Sequence, residues 1–472
     1  MTATLQRGGR RGRRIHPIVK AYLVGWLSHF TPRLLAWVVA VVRRKKKCNK
    51  ESLNELFTAF KKSLDPHRFP FFCGATIAGA YVLRPLIILL FRVATGPINS
   101  AASRAGAHSD ARSVRSLRGL AALRDLFAFS VAAGIGLRGL NRRKGRAGRT
   151  LDLTLLAVVR AIDVVVGELW HQHRVARKRA GAASAFDNWV GWVIDPAVFA
   201  VTSGMVMFAW FYAPEKLPPS YNRQLSMLAN VDERLIMGLR KIREGEWVYG
   251  KETGLAHLFG GLAADNGLPF SWGDPAKTMP IPCEVIHSAE TPSCEIHSLR
   301  RLILGTTHTT FPLYLTLNLL RFLRPSASRT PRALLLATLS AARSASFLGT
   351  FIALFWYGVC LTRTRLGPLI VNLAPESWGW GQLNLERTCV HTGCMLAGWS
   401  ILLEKRQRRP EFAFFVAPRA AATVLPRKYD RKNLWIEQLV FGISVGIVFS
   451  TVKHNPKRVR GVFGKLLQKV LN

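Results

Sequence analysis

Apolar residues along this chain fall into long blocks separated by short, basic connections. Most blocks reach the length a helix needs to cross a hydrocarbon core of about 30 Å, or about 20 residues. The first half holds Phe69–Val93, Leu117–Leu140, Leu151–Leu169 and Trp189–Tyr212. The second half holds Leu302–Leu323, Ala333–Leu361, Leu383–Leu403, Phe412–Val424 and Leu434–Val452. Phe412–Val424 is short for a crossing unless it borrows Pro410-Glu411 or sits inside a bundle. Pro17–Val42 is also apolar, but Lys20, Pro32 and Arg33 interrupt it, so it reads as a broken or interfacial helix. The pattern predicts an all-α polytopic membrane bundle of about nine spans. Small residues four apart, Gly74 and Ala78, Ala75 and Gly79, and Gly393 and Ala397, mark faces where helices can approach closely.

The blocks repeat. A shift of 242 residues sets Asp195, Val198, Phe199, Gly204, Val206 and Pro214 on Glu437, Val440, Phe441, Gly446, Val448 and Pro456. A shift of 259 sets Arg149, Asp152, Arg160 and Ala161 on Arg408, Glu411, Arg419 and Ala420. Gly74-Ala75-Thr76 matches Gly305-Thr306-Thr307 more loosely. Such order predicts two related four-helix halves, with one extra span in the second and a working site between them. The expected divisions are a basic segment (1–50), a first membrane half (51–212), a water-facing insert (213–300) and a second membrane half with a basic tail (301–472). The insert carries a large share of the acids, among them Asp232, Glu244, Asp265 and Glu290. Within it, Asn230–Glu244 suits an amphipathic helix and Gly260–Pro282 a Gly- and Pro-rich loop.

Charge narrows the class. Lys and Arg number 67 against 27 Asp and Glu, a formal +40 in a chain that is 49% apolar. So apolar a chain is not disordered, and an odd, sparse set of seven cysteines is not a disulfide scaffold. A nucleic-acid binder would gather its charge on one surface. Here Arg43 to Lys47, Arg142 to Lys144, Arg174 to Arg179 and Arg406 to Arg409 abut the ends of apolar blocks. That placement suits anionic lipid head groups as partners and excludes nucleic acid. Trp189, Trp192, Trp210 and Tyr212 near span ends fit an interfacial aromatic belt. The connections at Asn141–Arg149 and His171–Gly181 are both basic, which leaves orientation open. Residues 1–50 hold no acid, which suits either a mitochondrial presequence or peroxisomal membrane insertion.

Two constellations carry candidate chemistry. Arg160 and Asp163, three apart in one apolar block, share a helix face. Charges in hydrocarbon are costly unless paired or hydrated, so that face looks toward protein or water. It is either a polar site or a structural ion pair. Arg419 stands at the repeat-equivalent position, with Ala422 where an acid would be, so its partner is sought among Glu411, Glu437, Asp195 and Asp163. Arg160, Asp163, Arg419 and Glu411 form the expected intramembrane polar site. Cys283, His287, Cys294 and His297 form C-x3-H-x6-C-x2-H, open to three readings: a tetrahedral zinc site, a Cys283–Cys294 disulfide, or free side chains. No phosphate-binding glycine loop, nucleophile elbow or paired-His metalloprotease helix is present in the sequence, so the expectation is no enzyme and no cofactor.

Several motifs resemble a known family. These are Ala213-Pro-Glu-Lys-Leu-Pro-Pro-Ser-Tyr-Asn-Arg after a span, Pro282-Cys283 leading to His287 and Cys294, Leu402-Leu403-Glu404-Lys405-Arg406, Arg408-Arg409-Pro410-Glu411 and Pro418-Arg419-Ala420. From about Ile15 onward the chain resembles the transmembrane protein 135 family, closest to its fungal branch. The resemblance implies a multispanning protein of peroxisomal or mitochondrial membranes, linked to lipid handling and organelle dynamics, with no established reaction. It also implies helical hairpins similar to the inner-membrane protein translocase superfamily. No catalytic residues carry over; Cys283, Cys294 and Arg419 do so only as motif positions. The expected function is lipid or small-solute handling. The alternative is a scaffold that recruits organelle membrane proteins, with a metal-dependent enzyme on the Cys/His set last.

Overall fold

The structure is a computed structural model that describes residues 15–42, 49–95, 111–141, 148, 150–181, 185–229, 231–323, 330–373, 382–427 and 429–471. Among the described residues the chain is helical, with no strand. The first long helices are α1 (Pro17–Val42), α2 (Lys50–Ser63), α3 (Phe69–Thr95), α4 (Ala111–Leu140), α5 (Leu151–Arg179) and α6 (Ala185–Tyr212). Shorter ones follow: α7 (Pro219–Ala229), α8 (Glu233–Glu244), α9 (Ala256–Asp265), α10 (Cys283–Ile286), α11 (Cys294–Leu304) and α12 (Phe311–Leu319). The chain continues through α13 (Pro331–Cys360), α14 (Leu366–Leu373), α15 (Gln382–Ala397), α16 (Arg409–Val424), α17 (Leu434–His454) and α18 (Gly461–Leu471).

Among the described residues five segments are long and apolar enough to cross a membrane: Phe69–Leu90, Gly119–Leu140, Ala185–Tyr212, Pro331–Asn372 and Arg431–His454. The other four apolar blocks are helical but differ in kind. Leu151–Leu169 carries Asp152, Arg160, Asp163 and Glu168. The 302–323 block is broken by a π turn at Gly305–Thr310 and a 3-10 turn at Leu320–Leu323. α15 and α16 are short, at 16 residues each. Pro17–Val42, expected to be a broken or interfacial helix, is one unbroken helix with Pro32 inside it, and it is not among the five candidate spans. Outer faces are apolar: Leu334, Leu335, Leu336 and Leu339 each expose half or more of their surface. Exposed aliphatic stripes of this kind are rare in water-soluble monomers and suit lipid contact.

Contacts group the chain into two compact units, Met1–Gly181 with Arg427–Asn472, and Ala182–Pro426. In the first, α3 packs on α1 and α4, and α17 runs along α4 and α5. Ile77, Phe129, Leu137, Phe441, Val448 and Val452 are buried there. Glycine allows the α4–α17 approach: a Cβ at Gly446 would fall 2.0 Å from Ser130 Oγ and 2.7 Å from the Leu126 carbonyl oxygen.

In the second unit α6 packs on α15 and α16, and α13 packs on α11, α12 and α15. Small residues again permit the contact. A Cβ at Gly393 would meet the Phe355 carbonyl oxygen at 2.7 Å, and Ala397 is fully buried. The 213–300 segment is rich in charges of both signs yet contributes Trp247, Phe259, Ile281 and Val285 to a core shared with Phe211, Phe355 and Trp356. Part of the expected loop after Gly260 is the helix α9. Gly273 closes against it backbone to backbone, leaving 2.1 Å for any Cβ against the Gly260 nitrogen.

Candidate functional sites

Arg160 and Asp163 lie on one face of α5, and both meet Arg460 at the end of the connection from α17 to α18, with Phe463 in the first turn of α18 beside Arg160. Arg160 is 6% exposed, donates from Nη1 to the Arg460 carbonyl (3.2 Å), and holds its guanidinium 5.3 Å above the Phe463 ring. Asp163 accepts from Arg460 Nε at 3.1 Å, and Arg460 Nη2 also pairs with it. The acid is therefore neutralised by Arg460, a residue the spacing argument did not find. Beside this junction is a cavity of about 290 Å³ walled by α1, α3, α5, α17 and α18. Its walls are apolar, with Phe72, Ile77, Leu156, Phe441, Val448 and Leu467 among them, and Arg160 is the one charged side chain among the described residues lining it.

Arg419 and Glu411 belong to the second unit, on α16. Arg419 donates to the Phe415 carbonyl and places its guanidinium 3.9 Å from the Phe415 ring and 4.9 Å from that of Tyr221. Its neighbours are thus π faces, an environment that suits a planar cation. Glu411 stands in the first turn of α16, where the helix dipole favours an acid. The structure places Arg160 with Asp163 in one unit and Arg419 with Glu411 in the other. Glu437, weighed as a partner for Arg419, accepts instead from Thr150 (2.7 Å), Thr154 (3.0 Å) and Tyr429.

Sequence reasoning passed over Asp125. This carboxylate is fully buried in α4 and receives Arg84 Nε (2.8 Å, from α3), Lys453 Nζ (2.8 Å) and His454 Nε2 (3.0 Å, both from α17). Arg124 adds a longer contact of 3.3 Å. The available signal was a single acid inside an apolar block, which is costly in hydrocarbon unless it is partnered.

In the second unit, Cys283, His287 and Cys294 hold their ligand atoms within 4.8 Å of one another. Helix α10 and its C-terminal residue supply Cys283 and His287; the first residue of α11 supplies Cys294. Cys360, the last residue of α13, brings its Sγ to 3.6 Å from His287 Nε2 and interacts with both other thiols. A π turn, Leu361–Arg365, follows immediately. His287, Cys294 and Cys360 are buried. The hydrogen bond with Cys360 pulls the Cys283 thiol down to about 5 against the effect of burial, with Arg363 acting the same way. Burial pushes the Cys294 thiol up.

The expected fourth member, His297, stands apart from this set. Its ring stacks on His287 (4.1 Å between centroids, 7° between planes), its Nδ1 faces the Glu290 carboxylate at 3.2 Å, and its Nε2 accepts from Arg301 at 3.4 Å. Burial holds His297 down at about 3, so the ring is neutral. Cys360, not His297, is the further side chain beside the His287 Nε2. No spacing motif announces it, because it lies 66 residues beyond Cys294 at the end of an apolar block where a cysteine reads as packing.

Comparisons with protein-family models, with curated proteins and with solved structures find no match for this chain.

Proposed function

We propose that this chain is an integral protein of a peroxisomal or mitochondrial membrane that binds and handles a single-chain anionic lipid. The cavity beside α5 carries this reading. Five helices contribute apolar walls, and one buried guanidinium, Arg160, faces that space. Its volume of about 290 Å³ is near the lower end of ligand pockets. An acyl chain has the chemistry of the walls, and a carboxylate or phosphate head has that of Arg160. Membership of the transmembrane protein 135 family is part of the same proposal and rests on the sequence motifs. The finer architecture, about nine crossings in two related halves with one extra span, belongs to the same proposal: helix at all nine apolar blocks supports the crossings, and the sequence matches at shifts of 242 and 259 support the halves.

The test uses full-length protein in detergent, titrated with a fluorescent polyene fatty acid and its methyl ester. The acid should bind saturably and at least about tenfold tighter than the ester, a difference of about 1.4 kcal/mol. Arg160→Leu should abolish the preference, and Arg160→Lys should keep part of it. Equal affinity for acid and ester in the unaltered protein sinks the proposal.

A further inference from the structure

We propose that Cys283, His287, Cys294 and Cys360 together bind one zinc ion, which fastens the 213–300 segment to the end of the α13 membrane helix. Tetrahedral zinc takes sulfur at about 2.3 Å and nitrogen at about 2.0 Å, which sets ligand atoms about 3.5–3.8 Å apart. Cys360 Sγ and His287 Nε2 are already 3.6 Å apart, and the Cys283, His287 and Cys294 donors lie within 4.8 Å of one another. Closing the set requires the Cys283, His287 and Cys294 donors to draw in toward that spacing.

The imidazole is oriented for this role. His287 Nδ1 is 2.9 Å from the Thr291 carbonyl oxygen, which only accepts, so Nδ1 carries the proton and Nε2 presents its lone pair to the thiols. Metal-bound histidines are held in this way by an outer hydrogen bond to the other ring nitrogen. The neutral His297 ring, stacked on His287, fixes the plane further. The π turn after Cys360 is a distortion often found at functional sites. Within that turn Arg363 is buried and held by the Ile281 carbonyl and Glu386, placing a positive charge near a site that would carry three thiolates.

Three thiols gathered around one imidazole fit a metal better than a disulfide. A Cys283–Cys294 bridge would leave Cys360 reduced and the His287 lone pair unused. All four corners come from the protein, so the ion would be closed to solvent and substrate, as in structural zinc sites. Its role would be to lock α10 and α11 to the end of α13, adding to the packing they already make there.

Full-length protein purified in detergent without chelators should contain about one zinc per chain by elemental mass spectrometry. Cys360→Ser and His287→Ala should each cut the content at least tenfold, whereas His297→Ala should retain it. X-ray absorption on the unaltered protein gives a reading even where variants fail to fold. Three sulfurs and one nitrogen support the site; two sulfurs and two nitrogens remove Cys360 from it. Unaltered protein free of metal, or a Cys283–Cys294 disulfide in non-reducing peptide maps, overturns the proposal.

Discussion

Asp125 shows how far one side chain can hold helices together where water is scarce. Its carboxylate gathers cations from α3 and α17 as well as its own helix. Removing it strands buried positive charge, so Asp125→Ala should lower stability by about 3–5 kcal/mol, read as thermal unfolding in detergent. A loss below about 1 kcal/mol would mean that water reaches Arg84 and Lys453 and solvates them. The helical spacing of Arg160 and Asp163 was legible because two charges three apart must share a face. Arg460 and Cys360 were not legible, since each reaches its partners through tertiary contact across many residues. Local pattern contains no term for that. The C-x3-H-x6-C-x2-H spacing found three members of the thiol–imidazole cluster, and only the fold could exchange His297 for Cys360.

Helix identity was written in the apolar blocks, and helix contacts in the glycines among them. Gly446→Leu should prevent α17 from docking on α4, since the side chain would overlap Ser130 and the Leu126 carbonyl. Loss of the monodisperse peak in size-exclusion chromatography is the expected outcome. Gly139→Ala, with open space at that position, should leave the peak unchanged. In the polar segment, the start of α8 depends on its cap. Asp232 accepts from the Arg234 backbone N–H at 2.8 Å, and the Arg234 side chain reaches on to Asp265 at 2.7 Å. The hydrogen bond from the Arg234 side chain holds the Asp232 carboxyl below the usual range. With the folded value below the unfolded one, the cap stabilises above about pH 4 and fades as pH falls through the folded value. Asp232→Ala should cost about 0.5–2 kcal/mol at neutral pH and less in acid, measured as helix melting by circular dichroism. What the residue pattern did not disclose is that this segment has an inside. Trp247 and Phe259 belong to separate short elements, and no local period reveals that they face one core.

At the scale of the whole molecule, the long apolar segments and exposed aliphatic stripes predict that alkaline carbonate leaves the protein in the membrane pellet and that only detergent releases it. Recovery in the supernatant would contradict that. The repeat expected from the sequence would divide the chain near its middle, whereas contacts join Arg427–Asn472 to the first helices. The two divisions describe different things. A repeat records similar apolar spacing, while a compact unit records which side chains meet.

α17 completes the core around α4 and α5, yet it is made after the intervening unit. During synthesis α1 to α5 therefore leave the ribosome without the helix that seals Asp125 and Ser130. A nascent chain in that state offers a charged groove to chaperones or quality-control proteases until its closing segment arrives. A stop codon in place of Arg427 should leave the middle unit resistant to limited trypsin while the amino-terminal helices are digested.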